Sequence, residues 1–257
     1  MRACDRAAAL GALAMVAVFG IPSMATAQDP FEIQVYEYDL VPTGRWNLET
    51  HMNYTARGTS TADVTSTVGQ SHVTFELTRG INKYFELAGY LLLAHNGSAN
   101  DVAGWHVRPR VALPEDWLPV KVSISAEVGF PNRKYEPEDI SLELRPILER
   151  SFGSVQVDLN PTLGRSLRGV GAADGWDFEP AARVGVPAND RVDLSLEYFG
   201  ATGRLTDMLP ANQQVHQIYP NADIQLTPDL VWNLGVGFGT TGVGNTLVYK
   251  MRLGWLF

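Results

Sequence analysis

The chain has 257 residues and a formal net charge of −8, from 20 basic and 28 acidic side chains. That balance argues against a nucleic-acid partner, whose phosphates call for a basic surface. A single cysteine, Cys4, excludes a disulfide framework and thiolate metal centres.

Arg2 and Arg6 precede an apolar run from Ala7 to Ile21, followed by Pro22 and the small-x-small site Ala25-Thr26-Ala27. This order predicts a signal peptide over residues 1–27, cleaved before Gln28 and taking Cys4 with it. A run of about 15 apolar residues falls short of the roughly 20 that a spanning helix needs, which disfavours a membrane anchor. Residues 28–44 form a leader in which Phe31, Ile33 and Val35 alternate ahead of the first strand. The leader is expected to fold into a lumen as a plug, to lie across a mouth, or to be an ordered terminus without a gating role.

From residue 45 to residue 257 the chain reads as one all-β domain of twelve segments in which apolar and polar residues alternate. The first, 45–55, sends Trp46, Leu48, Met52 and Tyr54 one way and Asn47, Glu49, His51 and Asn53 the other. Next, 69–79 places His72 and Glu76 on the polar face, 84–94 places Glu86 and Tyr90 there, and 104–113 places His106, Arg108 and Arg110 there. Segments 119–130 and 139–149 add Lys121, Glu127, Glu143 and Arg145. Asp158 follows near 155–163, then Asp177, Glu179 and Arg183 in 176–186, and Asp193 and Glu197 in 192–198. The tenth segment, 215–226, alternates least cleanly. The eleventh, 230–239, pairs large outward residues with small Asn233, Gly235 and Gly237. The twelfth, 247–257, carries Leu247, Tyr249, Met251, Leu253, Trp255 and Phe257 on one face and Lys250, Arg252 and Gly254 on the other.

Segment length matches the roughly 9–11 residues of a tilted membrane-crossing strand. Turns at 80–83, 114–117, 150–153, 187–190 and 227–229 are short and rich in Gly, Pro, Asn and Asp. Longer links fall near 56–68, 95–103, 131–138, 164–174 and 201–214, with a shorter one at 240–244. Short periplasmic turns opposite longer extracellular loops are the asymmetry of a transmembrane antiparallel up-and-down barrel. A soluble β-protein would also alternate, with its apolar face inward. The charges at mid-strand favour the membrane barrel, where the wall encloses them and lipid meets the apolar face.

Twelve strands fall between the eight whose side chains fill a barrel and the sixteen that leave an aqueous channel. A narrow lumen of mixed charge follows. Its charges are expected to pair, with Lys250 and Arg252 beside Glu49, and Lys121 and Arg145 near Glu127 and Glu143. Such pairs either hold the wall or provide a field that selects solutes.

Two stretches carry a resemblance. The last strand, with Tyr249, Trp255 and a terminal Phe257, resembles the closing strand of bacterial outer-membrane barrels, which implies recognition by the barrel-assembly machinery. Glu32-Ile33-Gln34-Val35-Tyr36, Leu48-Glu49-Thr50-His51-Met52-Asn53-Tyr54 and residues 76–87 resemble outer-membrane proteins grouped with the phenol meta-degradation pathway. That likeness covers roughly residues 32–92 and implies an outer-membrane channel passing small, aromatic or otherwise hydrophobic compounds. It carries over no substrate residues and implies no cofactor.

An enzyme would need a nucleophile beside a base. Ser71 and His72 are neighbours in sequence but face opposite sides of a strand, so no dyad follows. His51 and His72 share the inner face of adjoining strands, yet a third metal ligand is not evident where known sites use three or four. No catalytic residue and no metal site is assigned. The remaining rival is a non-conducting structural or surface-interaction barrel, although the loops carry no aromatic or basic patch.

Overall fold

A computed structural model describes residues 29–59 and 65–257, so the expected signal peptide at 1–27 and its cleavage before Gln28 lie outside the described residues. Twelve long antiparallel strands follow one another: β1 (Trp46–Arg57), β2 (Ser71–Asn82), β3 (Phe85–His95), β4 (Asn100–Ala112), β5 (Lys121–Pro131), β6 (Glu138–Phe152), β7 (Val155–Gly169), β8 (Asp177–Asn189), β9 (Val192–Ala201), β10 (Val215–Thr227), β11 (Leu230–Gly239) and β12 (Leu247–Leu256). Each pairs with its sequence neighbours, and β12 pairs with β1, so the sheet closes. The closing register runs from Asn47 opposite Leu256 to Arg57 opposite Leu247. Beyond it, Trp46 and Phe257 exchange backbone hydrogen bonds of 2.8 Å in both directions. Closure leaves no strand edge unpaired, which is what a sheet in hydrocarbon requires.

Alternation decides which face is which. Trp46, Tyr54, Phe75, Leu77, Leu91, Trp105, Ile124, Leu159, Leu194, Phe238, Tyr249 and Trp255 point out and are exposed. Their strand neighbours Glu49, His51, Glu76, Arg108, Ser123, Asp158 and Lys250 point in and are buried. An apolar exterior around a polar interior inverts the layout of a soluble barrel, as expected for lipid outside the wall. Among the described residues no helix is long and apolar enough to cross a membrane.

The links at one end are two residues long (83–84, 153–154, 190–191 and 228–229), except for the eight-residue 113–120. At the other end they span 58–70, 96–99, 132–137, 170–176, 202–214 and 240–246. The link expected at 95–103 therefore shrinks to four residues, because β4 begins at Asn100. Asn100-Asp101-Val102-Ala103 lacks the expected alternation but still pairs with β3, and Lys134 ties Asp101 from the next link at 2.5 Å. Strand β7 likewise extends past its apolar stretch to Gly169. Two-residue segments at Gly203–Arg204 and Asp207–Met208 form a small hairpin inside the 202–214 link.

The leader enters at the short-turn end and runs up the inside of the barrel. Gly44 donates to the Gly80 carbonyl at 2.9 Å, and Gly80 to the Arg45 carbonyl at 3.1 Å. Phe31, near the start of the described segment, packs against Tyr135 of the 132–137 link. The close approach at the base depends on Gly80, since a Cβ there would lie 2.2 Å from the Val41 carbonyl oxygen. Gly80→Leu should unseat the leader without opening the wall, read as faster protease cleavage within residues 29–44 in detergent-folded protein. Gly89→Leu, whose Cβ would meet open space, should leave the cleavage rate unchanged.

Candidate functional site

The leader's backbone has no neighbouring strand, so inner-wall side chains must take its hydrogen bonds. Asn160 of β7 acts as a substitute peptide unit: its Oδ1 accepts the Tyr36 N–H at 2.7 Å and its Nδ2 donates to the Tyr36 carbonyl at 3.0 Å. Glu149 accepts the Tyr38 N–H at 2.9 Å, and Glu86 the Val41 N–H at 2.7 Å. Arg110 donates to the carbonyls of Glu37, Tyr38 and Asp39. Lys250 donates to the Ile33 carbonyl at 3.1 Å, and Asn53 to that of Pro30 at 2.8 Å.

The leader's side chains are gripped as well. The Tyr36 ring lies beneath two guanidinium groups, with Arg145 at 4.5 Å and Arg108 at 4.7 Å from its centroid. Its hydroxyl meets Glu32 and stands 3.0 Å from the Tyr90 hydroxyl. Two apolar patches interrupt the polar lining. Phe31 joins Ala88, Tyr90, Leu92, Ala94, Ala103 and Tyr135, while Ile33 and Val35 join Phe199, Tyr219 and Val248.

Arg108 is the hub of the lining, 2.5 Å from Glu76 and 3.3 Å from Glu86 with all three buried. Arg110 backs Glu86 at 3.6 Å. His106 meets Glu127 at 2.6 Å, and Arg145 meets Glu143 at 2.7 Å and Glu32 of the leader at 3.9 Å. Arg183 is shared among Asp158, Glu37 and Asp223 at 3.2, 3.5 and 3.8 Å.

Several expected pairings resolve differently. Arg252 does meet Glu49, at 2.7 Å, but Lys250 reaches past it to Glu197 of β9. Lys121 pairs with Glu149 at 3.2 Å and Glu115 at 3.7 Å rather than with Glu127 or Glu143. Asp177, Glu179 and Asp193 make no ion pair among the described residues, and Asp193 is exposed near the short-turn end. His51 and His72 are drawn apart: His72 bonds Gln70 at 2.8 Å and faces the Phe31 ring, whereas His51 sits between Glu49 and Glu76. Glu32, Tyr36, Glu149, Asn160 and Asp223 also take part in the lumen's contacts, although none is among the expected charged lining residues.

Not all of the lumen is filled. A polar vestibule of about 510 Å³ opens near the short-turn end, lined by Glu37, Glu49, Arg183, Asp193, Asp223 and Arg252 among others. At the opposite end, in the 132–137 link, burial raises the half-buried Glu136 carboxyl to about 8. Asp29 and Glu138 add to the rise and His106 opposes it.

No protein-family model and no curated protein matches the sequence. Solved structures do match in fold. An outer membrane channel from Pseudomonas putida F1 aligns with a TM-score of 0.57 at 11% identity, over 88% of this chain and 100% of that one. The NanC porin gives 0.54 at 11% identity, over 81% and 98%. The KdgM porin in complex with disordered oligogalacturonate gives 0.51 at 10%, over 82% and 99%. The fold, a closed antiparallel barrel of twelve strands, is shared with these outer-membrane barrels.

The network is tightly interdependent. Arg108→Met should leave Glu76 and Glu86 without their main cation and cost about 3–5 kcal/mol, as breaking a buried ion pair does. The measurement is the denaturant midpoint of the folded barrel. Arg45→Ala, which removes an exposed 2.9 Å pair with Asp229, should cost no more than about 1 kcal/mol.

Proposed function

We propose that this protein is an outer-membrane channel for small molecules, with the leader narrowing its lumen as a plug. The observation that carries the reading is an inner wall of ionisable groups holding a single extended segment by side-chain bonds. At twelve strands the wall's own side chains leave a gap, and here an extended segment occupies it beside a vestibule open at one mouth. The solved barrels of similar fold described as a channel and as porins support the same reading. In that setting the two-residue turns face the periplasm and the longer links face outward. The barrel-assembly machinery would act on β12, with Tyr249, Trp255 and Phe257 as its signal.

Small aromatic compounds carrying an anionic or hydroxyl group suit the lumen best. The likeness of residues 32–92 to the phenol meta-degradation group supports an aromatic solute. The lining adds Tyr90 beside Arg108, and the leader's own Tyr36 ring occupies the place beneath Arg108 and Arg145. An aromatic acid could stack and pair there once the leader yields. Without an assigned nucleophile and base, the lumen is read as a passage and not as a catalytic site.

Planar-bilayer recording tests the reading. Deleting residues 29–40 should raise single-channel conductance severalfold over the intact protein; equal conductance would retire the plug. Arg252→Glu, on the vestibule wall, should shift the reversal potential in a salt gradient toward cation preference. An unmoved potential would take Arg252 off the ion path. Benzoate should reduce the ionic current through the leaderless channel more than galacturonate does at equal concentration, and the reverse order would redirect the solute assignment toward sugar acids.

A further inference from the structure

Glu49 of β1 lies directly opposite Glu76 of β2 in the strand register. Like charges so placed are destabilising unless something sits between them. Two residues along β1 and on the same face is His51, only 2% exposed. Each carboxylate gives one oxygen to its close protein donors, and Glu76 Oε2 has besides a long contact from the Tyr36 hydroxyl, at 3.5 Å. Glu49 Oε1 accepts from Arg252 at 2.7 Å, and Glu76 Oε1 accepts from Arg108 at 2.5 Å and from Thr78 Oγ1 at 2.8 Å. The second oxygens, Glu49 Oε2 and Glu76 Oε2, both stand 3.7 Å from His51 Nε2. That buried nitrogen has no hydrogen-bond partner among the described residues. Three ligand atoms thus lie within 4.8 Å of one another.

We propose that Glu49, His51 and Glu76 bind a divalent transition-metal ion of the zinc class. A proton on His51 is the simplest rival guest between the carboxylates, but 3.7 Å exceeds the 2.7–3.2 Å reach of an N–H···O bond. Tetrahedral zinc, with bonds of about 2.0–2.2 Å, holds its ligands about 3.4 Å apart. Contraction by a few tenths of an ångström at His51, and by up to about 1.4 Å between the two carboxylate oxygens, would therefore close the site. One imidazole and two carboxylates suit zinc, nickel or copper. Calcium takes six to eight oxygens, and magnesium demands a near-octahedral shell. Three protein ligands leave a fourth position for water, and Arg108, Arg252 and Thr78 fix the carboxylates from outside as second-layer partners do. The ion would tie β1 to β2 next to the β1–β12 closure.

The test uses full-length barrel without a histidine tag, stripped with a chelator, folded in detergent and titrated calorimetrically with Zn²⁺. One ion per barrel is expected, and Co²⁺ in its place should give the intense visible bands of four-coordination. His51→Asn and Glu76→Gln, checked for folding by heat-modifiable migration, should each weaken binding at least about a hundredfold, beyond what losing an outer-layer partner costs. His72→Asn, the neighbouring buried histidine, should bind as the parent does. Absence of stoichiometric Zn²⁺ binding, or equal affinity after His51→Asn, overturns the proposal. Should both ligand variants fail to fold, the parent decides alone: a pale six-coordinate Co²⁺ spectrum rejects the site.

Discussion

A polypeptide threaded through the middle of a barrel brings peptide groups that no strand can pair, and leaving them unmet inside the wall is expensive. That constraint organises the lumen. Asn160 pairs with Tyr36 as a strand would, Glu149 and Glu86 accept the next free N–H groups, and Arg110 collects three successive carbonyls. Many inner-wall charges therefore have a local partner besides any passing solute. A mixed lining is the natural outcome, because a peptide backbone needs donors and acceptors in equal measure.

Barrel size explains why a leader is there at all. Eight strands enclose a space their own side chains can fill, and sixteen leave an aqueous channel. Twelve leave a gap of roughly one extended chain with its side chains. Residues 29–44 supply that chain, with Phe31 on one apolar patch, Ile33 and Val35 on another, and Tyr36 between the guanidinium groups. The vestibule persists beside the leader's base, toward the β8–β12 wall.

Alternation made the strands legible from sequence wherever a lipid-facing side is bounded by a charged one. In β1, Trp46 and Tyr54 stand against Glu49, His51 and Asn53. It failed at strand ends such as Asn100–Ala103, because pairing there continues above the apolar band and hydrophobic rhythm is no longer required. Individual ion pairs were the least legible. Lys250 reaches Glu197 across β10 and β11, a contact set by the curvature of the closed wall rather than by strand adjacency. Phe199, Tyr219 and Val248 are inward apolar residues in an otherwise polar face, and strand alternation alone gives them no role. The apolar rhythm of Phe31, Ile33 and Val35 was the available signal, since a plug with greasy side chains implies greasy receptors.

How readily the leader leaves depends on which contacts dominate. Each polar bond is conspicuous, yet water entering the vacated lumen would replace it, so its net worth is about 0.5–1.5 kcal/mol for a neutral partner such as Asn160 and about 1.5–3 kcal/mol for a charged one such as Arg110. Burial of Phe31, Ile33 and Val35 has no such substitute and stabilises by roughly 1.5–3 kcal/mol apiece. The polar contacts fix register and orientation, because a one-residue slip would break them together. The three apolar side chains then contribute a resistance to withdrawal of the same order as the polar bonds together. A solute able to occupy their patches, aromatic enough to replace Phe31 against Tyr90 and Tyr135, would compete with the leader for that apolar share of its hold.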